Sequence, residues 1–158
     1  MRSVSSFVVL VALGLGLSLA SEDGEDSKQF IGTWKLVSIQ NDAGEDVRGE
    51  RPIGVIYYDG FGNMAAQIMP DRPRPQWKAG EPPTPEQAKE AMTGYVAYFG
   101  TYTVDEKART VSHHRQGSLV PGTVGVDAVR TYEFLPGERL RLTPVEIPSL
   151  HLTWERVR

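Results

Sequence analysis

Apolar and polar residues alternate in short runs along most of this chain, and turn residues separate the runs. The clearest run is Phe30-Ile31-Gly32-Thr33-Trp34-Lys35-Leu36-Val37, read as a strand over residues 32–40. Trp34 is large and apolar and needs a partner to bury against. Gly32 leaves room for another group to approach the backbone. Further strands follow at 53–58, 64–69, 96–104, 109–116, 127–135, 139–143 and 150–157. The joints carry turn chemistry: Asp59-Gly60-Phe61-Gly62-Asn63, Asp105-Glu106-Lys107-Ala108 and Pro136-Gly137. One helix interrupts the series near residues 85–94, with Thr84 as cap, Pro85 at the first position and Glu86 near the positive dipole end. Short strands joined by short turns predict an all-β, antiparallel, up-and-down barrel of eight strands, the helix lying between the third and fourth.

Two segments stand outside that pattern. Residues 7–20 are apolar, follow Arg2 and end in Ser18-Leu19-Ala20. The run is short for a membrane span and fits a secretory signal peptide cleaved near Ala20. Residues 21–28 are small and acidic and read as a disordered spacer. The expected organisation is therefore a signal peptide at 1–20, a spacer at 21–28 and one barrel domain at 29–158, in a secreted or periplasmic protein with no stable membrane insertion after cleavage. The net charge of −3, without clustered Lys and Arg, points away from nucleic acid. Zero cysteines remove disulfides, thiol nucleophiles and cysteine metal sites.

The residues also carry a family resemblance. Gly32-Thr33-Trp34 is similar to the Gly-x-Trp of lipocalins. Segments 31–38, 69–74, 94–102 and 113–119, with the closing Leu152-Thr153-Trp154-Glu155-Arg156, resemble in this order the small bacterial and fungal lipocalin-like domain family of the calycin superfamily. The resemblance implies a lipocalin-like β-barrel with an interior cavity, and little about activity. It also implies that Arg156 stacks on Trp34 at the closed end, a cation–π contact. Gly32, Trp34, Trp154 and Arg156 are accordingly read as structural. Arg115 departs from the family pattern, because an aliphatic residue is expected after the two histidines.

Candidate ligand-binding residues come from alternation. His113 and His114 are adjacent in one strand, so they point to opposite faces and cannot easily share a metal. Val111 pulls His113 inward and Arg115 pulls the other way; His151 is expected outward. The plain alternative for the inward histidine is a satisfied core residue. Tyr98 and Tyr102 share one strand face, and Arg130 and Tyr132 share another. If both faces point inward they give aromatic walls with a few polar groups, the usual make-up of a small-molecule site. Core packing is the alternative for the tyrosines. Arg130, if buried, needs an acidic protein partner or an anionic ligand. The loop 70–83 reads equally as a lid or a plug.

No zinc-protease, nucleophile-elbow or phosphate-loop motif is present, no metal or cofactor is implied, and no catalytic residue can be named. The leading expectation is a protein that binds a small, mainly hydrophobic molecule inside the barrel, with an acidic or carbonyl end near Arg130. The alternatives are an isomerase, cyclase or hydratase using the same cavity, and a filled barrel acting as a structural or interaction domain.

Overall fold

The computed structural model describes residues 24–158. The expected signal peptide lies outside the described residues. The eight strands are β1 (Gly32–Gln40), β2 (Ile53–Tyr58), β3 (Asn63–Met69), β4 (Val96–Asp105), β5 (Thr110–Ser118), β6 (Asp127–Leu135), β7 (Arg139–Pro144) and β8 (His151–Arg156). Each pairs antiparallel with the next, and β8 closes on β1 through Trp34↔Arg156 and Leu36↔Trp154. Closure leaves no sheet edge to template aggregation.

Alternation decides which residues face inward, and two bulges adjust it. In β1, Trp34 and Leu36 are buried, but the next buried residue is Ile39. The register against β8 steps from Leu36↔Trp154 to Ser38↔Thr153, so Val37 is the extra residue. In β5 the pairs Phe99↔Gly117 and Gly100↔Arg115 leave Gln116 unpaired. Gly100 is required there: a Cβ on it would stand 1.9 Å from the carbonyl oxygen of His114.

The two ends of the barrel differ. At one end the turns are tight, and a short helix, α1 (Glu25–Phe30), docks beneath them. Phe30 is fully buried, with Tyr58, Tyr132 and Phe134 packed edge-on around it at 5.0–5.3 Å. The acidic segment expected to be a disordered spacer is therefore helical from Glu25 onward. It is ordered by partners far away in sequence: Asp26 pairs with Arg109 at 2.6 Å, and the Ser27 amide donates to Glu106 at 3.0 Å. Arg156 lies 4.2 Å over the Trp34 ring and donates to the carbonyls of Ile31 and Gln29. The Trp34 indole N–H donates to the carbonyl of Phe30 at 2.8 Å. The expected Trp34–Arg156 pair is thus present, and it holds the plug helix to the barrel wall.

At the other end the connections are long. The β3–β4 connection carries α2 (Pro85–Met92), whose Thr84 and Gln87 form a reciprocal capping box. Arg72 bridges to Glu90 and to the carbonyl of Thr93, and Arg74 lies over Tyr95 and donates to the carbonyl of Ala91. The Pro-rich loop is thus tied to its own helix beside the mouth. None of its described residues lines the interior cavity.

Candidate functional site

The cavity occupies the half of the barrel away from α1 and has a volume of about 380 Å³. That lies at the lower end of the roughly 300–1,000 Å³ typical of small-molecule sites. Its apolar wall comes from β1, β2, β3, β7 and β8, with Ile39, Ile56, Ile68, Leu142, Leu152 and Trp154. The polar side is on β4, β5 and β6, where Tyr98, Arg115 and Arg130 face the space. Arg48 and Glu146, from the loops, add charge to the lining.

Below Tyr98 and Arg130 sits His113, with no exposed surface. Its Nε2 is 2.7 Å from the Tyr58 hydroxyl. Its Nδ1 is 2.9 Å from the Tyr98 hydroxyl and 3.1 Å from an Arg130 Nη1. Burial, then the positive charges of Arg130 and Arg115, hold the His113 pKa well below the ordinary 6.5. The ring is therefore neutral at neutral pH. A guanidinium only donates, so Nδ1 accepts, and the single ring proton resides on Nε2 and is donated to Tyr58. Burial also raises the pKa of Tyr58 and Tyr98, which keeps both phenols protonated. His113 thus braces two groups of the cavity surface.

Arg130 also donates to the carbonyl of Ala128 at 2.9 Å, and Arg115 donates through Nε to the carbonyl of Val126 at 2.8 Å. Both guanidiniums lie about the same ring, with Cζ 5.9 Å (Arg130) and 6.0 Å (Arg115) from the Tyr98 centroid. Among the described residues neither has a carboxylate within 4.0 Å. The acidic protein partner considered for Arg130 is not found among the described residues.

The six proposed ligand residues separate into three groups. Tyr98 and Arg130 line the cavity, with His113 behind them. Tyr102 and Tyr132 belong to the aromatic plug: Tyr102 donates to the carbonyl of Asp59 at 2.9 Å, and Tyr132 donates to Asp26 at 2.7 Å beneath the Arg109 guanidinium. They share strand faces with Tyr98 and Arg130 but lie deeper, toward the plugged end. His114 is on the outer wall, between Thr103 at 3.0 Å and Asp127 at 2.8 Å. His151 is also outside, between Thr143 and Asp42, as alternation predicted.

Sequence reasoning missed Arg115 as a cavity residue and Tyr58 as the second partner of His113. The signal for Arg115 was present: it shares alternation parity with Val111 and His113, and the bulge falls after it. Arg48 and Glu146 lie in loops, where no periodicity marks an inward side chain. Trp154, read as structural, also lines the cavity.

A closed eight-stranded antiparallel barrel, plugged at one end and hollow at the other, is the class this geometry defines. The chain belongs to the lipocalin-like domain family, whose model matches residues 31–157. Two solved structures resemble it in fold. One is a redesigned β barrel, 11% identical, covering 83% of this chain and 94% of its own, with a TM-score of 0.42. The other is a mutant of the fluorescent protein UnaG, 15% identical, covering 82% and 97%, with a TM-score of 0.36. No curated protein matches the sequence.

Proposed function

We propose that this protein binds a small, mainly apolar carboxylate in the barrel cavity, with the carboxylate seated against Arg130 and Arg115. The observation that carries this reading is the pair of arginines on one side of a mainly apolar cavity, with no salt-bridging carboxylate on either among the described residues. Both arginines are half-buried, and a guanidinium beside apolar walls gains from the charge-assisted pairing an anionic ligand supplies. The apolar walls supply the rest of the affinity, at roughly 25 cal/mol per Å² removed from water. Proton-transfer chemistry by His113 is disfavoured. Its one acceptor nitrogen already takes Tyr98 and Arg130, so no lone pair is offered to a substrate.

The test is displacement of anilinonaphthalene sulfonate fluorescence by decanoate, with decanol as the uncharged control. Arg130→Met is expected to weaken decanoate binding by about tenfold to a hundredfold, the scale of a charge-assisted hydrogen bond. Decanol binding stays within about threefold on the same scale. Unchanged decanoate affinity in Arg130→Met would refute the placement of the carboxylate.

A further inference from the structure

The outer walls of the barrel differ in what they show to water. On the β6–β8 wall the outward positions include Glu133, Arg139, Arg141 and Glu155, and Arg141 pairs with Glu133 at 3.2 Å. The β2–β4 wall is bare of charge. β2 and β3 contain no charged residue, and β4 contains none before its last, Asp105. Outward on this wall stand Ile53, Val55, Tyr57 and Phe99, exposed by 61%, 40%, 44% and 58%.

The sheet register makes these side chains one patch. Tyr57 pairs with Ala65, Ala65 with Phe99, and Phe99 with Gly117 on β5. The next outward row runs Val55, Gln67, Ala97. Small residues between the large ones give the face relief. A Cβ on Gly117 would stand 2.3 Å from the Phe99 ring, so that ring rests on the β5 backbone. A groove of about 350 Å³ runs beside it over Ala65, Ala97 and Leu119. Four side chains of roughly 150–250 Å² each, about half exposed, hold on the order of 400 Å² of apolar surface in water. A contiguous apolar patch of that size is often functional.

The surroundings narrow what covers it. The barrel is closed, so a partner peptide has no edge strand to extend and contact must be face to face. A lipid surface calls for a basic rim. Here the bordering cations are already engaged: Lys35 is 3.8 Å from Glu155, and Arg74 lies over Tyr95 and donates to the carbonyl of Ala91. A second copy of the chain needs no such rim. Two molecules of net charge −3 repel, and this uncharged face lets them meet without setting like charges together. A two-fold contact also turns the same ridges and grooves against themselves. At the roughly 65% apolar content of homodimer interfaces, the patch corresponds to about 600 Å² per copy and about 1,200 Å² in all, the low end for specific complexes.

We infer that the outer face of β2–β4 is a homodimer interface, with Ile53, Val55, Tyr57 and Phe99 at its centre. The inference is independent of the carboxylate reading, because these side chains point away from the cavity.

Sedimentation velocity across a concentration series tests it. The wild type is expected to pass from monomer to dimer with a midpoint on the order of 10–100 μM, as suits a small interface. Phe99→Glu is expected to weaken association by at least about thirtyfold, because the change enters a two-fold contact twice. Thr131→Glu puts the same charge on the exposed opposite wall and is expected to alter association by less than about threefold. A wild type that stays monomeric overturns the inference, and co-sedimentation of that monomer with phosphatidylcholine vesicles would assign the face to lipid instead. A dimer that survives Phe99→Glu, or that falls equally in Thr131→Glu, overturns it too. Should Phe99→Glu lose the near-ultraviolet circular dichroism of the wild type, dilution of nitrogen-15-labelled wild type puts the same question. Amide shifts confined to β2–β4 and the adjoining end of β5 are expected; shifts on β6–β8, or none, overturn the inference.

Discussion

His113 and His114 adjoin in the chain and have opposite surroundings. His113 has no contact with solvent and three polar partners, whereas His114 sits on the outer wall beside Asp127. Their pH behaviour follows. The folded pKa of His113 is depressed below the ordinary 6.5, so in the window beneath 6.5 the unfolded chain binds the proton and the folded chain does not. Stability from this residue is fully present above pH 6.5 and is lost as pH falls through that window. Urea unfolding of the wild type is expected to show this loss, with a slope approaching one proton. His113→Gln should flatten that part of the curve while lowering stability at neutral pH by about 1–3 kcal/mol, because Tyr58, Tyr98 and Arg130 lose their shared partner. His114→Ala should change stability by no more than about 0.5 kcal/mol, as expected of exposed substitutions. Equal costs at the two positions would contradict this assignment of faces. Alternation alone showed that only one histidine points inward. The choice between them depended on Arg115, whose charge suggested an outer face although its parity agrees with Val111 and His113.

At the scale of elements, α1 was the least legible. Six residues with one large apolar side chain are far below the length at which a helix holds itself together in water. Its acidic residues resemble a solvated tail until Arg109, Tyr132 and the Glu106 turn are placed around them. α2 was legible because its signals are local: Thr84, Pro85 and Glu86 mark a start whatever surrounds them, and the structure adds Gln87 to the cap. The plug should be cooperative with the barrel. Phe30→Ala is expected to cost about 3–5 kcal/mol in urea unfolding, the range for a fully buried phenylalanine. A cost below about 1 kcal/mol would mean that α1 is an appendage to the barrel. Bulges were the other illegible feature. Strict alternation along β1 would bury Ser38 and expose Ile39; the extra residue at Val37 reverses this. Such an insertion depends on how two strands pair, which neither strand specifies by itself.

At the scale of the molecule, a chain of net charge −3 encloses a cavity lined by three arginines and one glutamate. Local charge, and not the average, governs what the site attracts. Among the described residues Glu146 is the one acidic residue in that lining, and it opposes an incoming carboxylate. Glu146→Gln is expected to tighten decanoate binding by about twofold to threefold, the size of a partly screened charge–charge term. Decanol binding should not change. Weaker decanoate binding in this variant would show that Glu146 instead orders the arginines.

The barrel itself was written in the chain. Strand spacing, turn residues and the Gly32–Trp34 and Trp154–Arg156 segments determine an up-and-down closure, because each signal is short-range and repeated. What lies inside was decided by tertiary structure. Tyr98 and Tyr102 share a strand face, as do Arg130 and Tyr132, yet one of each pair lines the cavity and the other packs around Phe30. Alternation assigns a residue to the inside, but depth along the barrel axis depends on where α1 enters and how the strands are staggered. That Arg115 and Arg130 meet carbonyls and His113, and no carboxylate among the described residues, is likewise a property of assembled neighbours: which partner a polar group inside the barrel finds is settled only when distant strands come together.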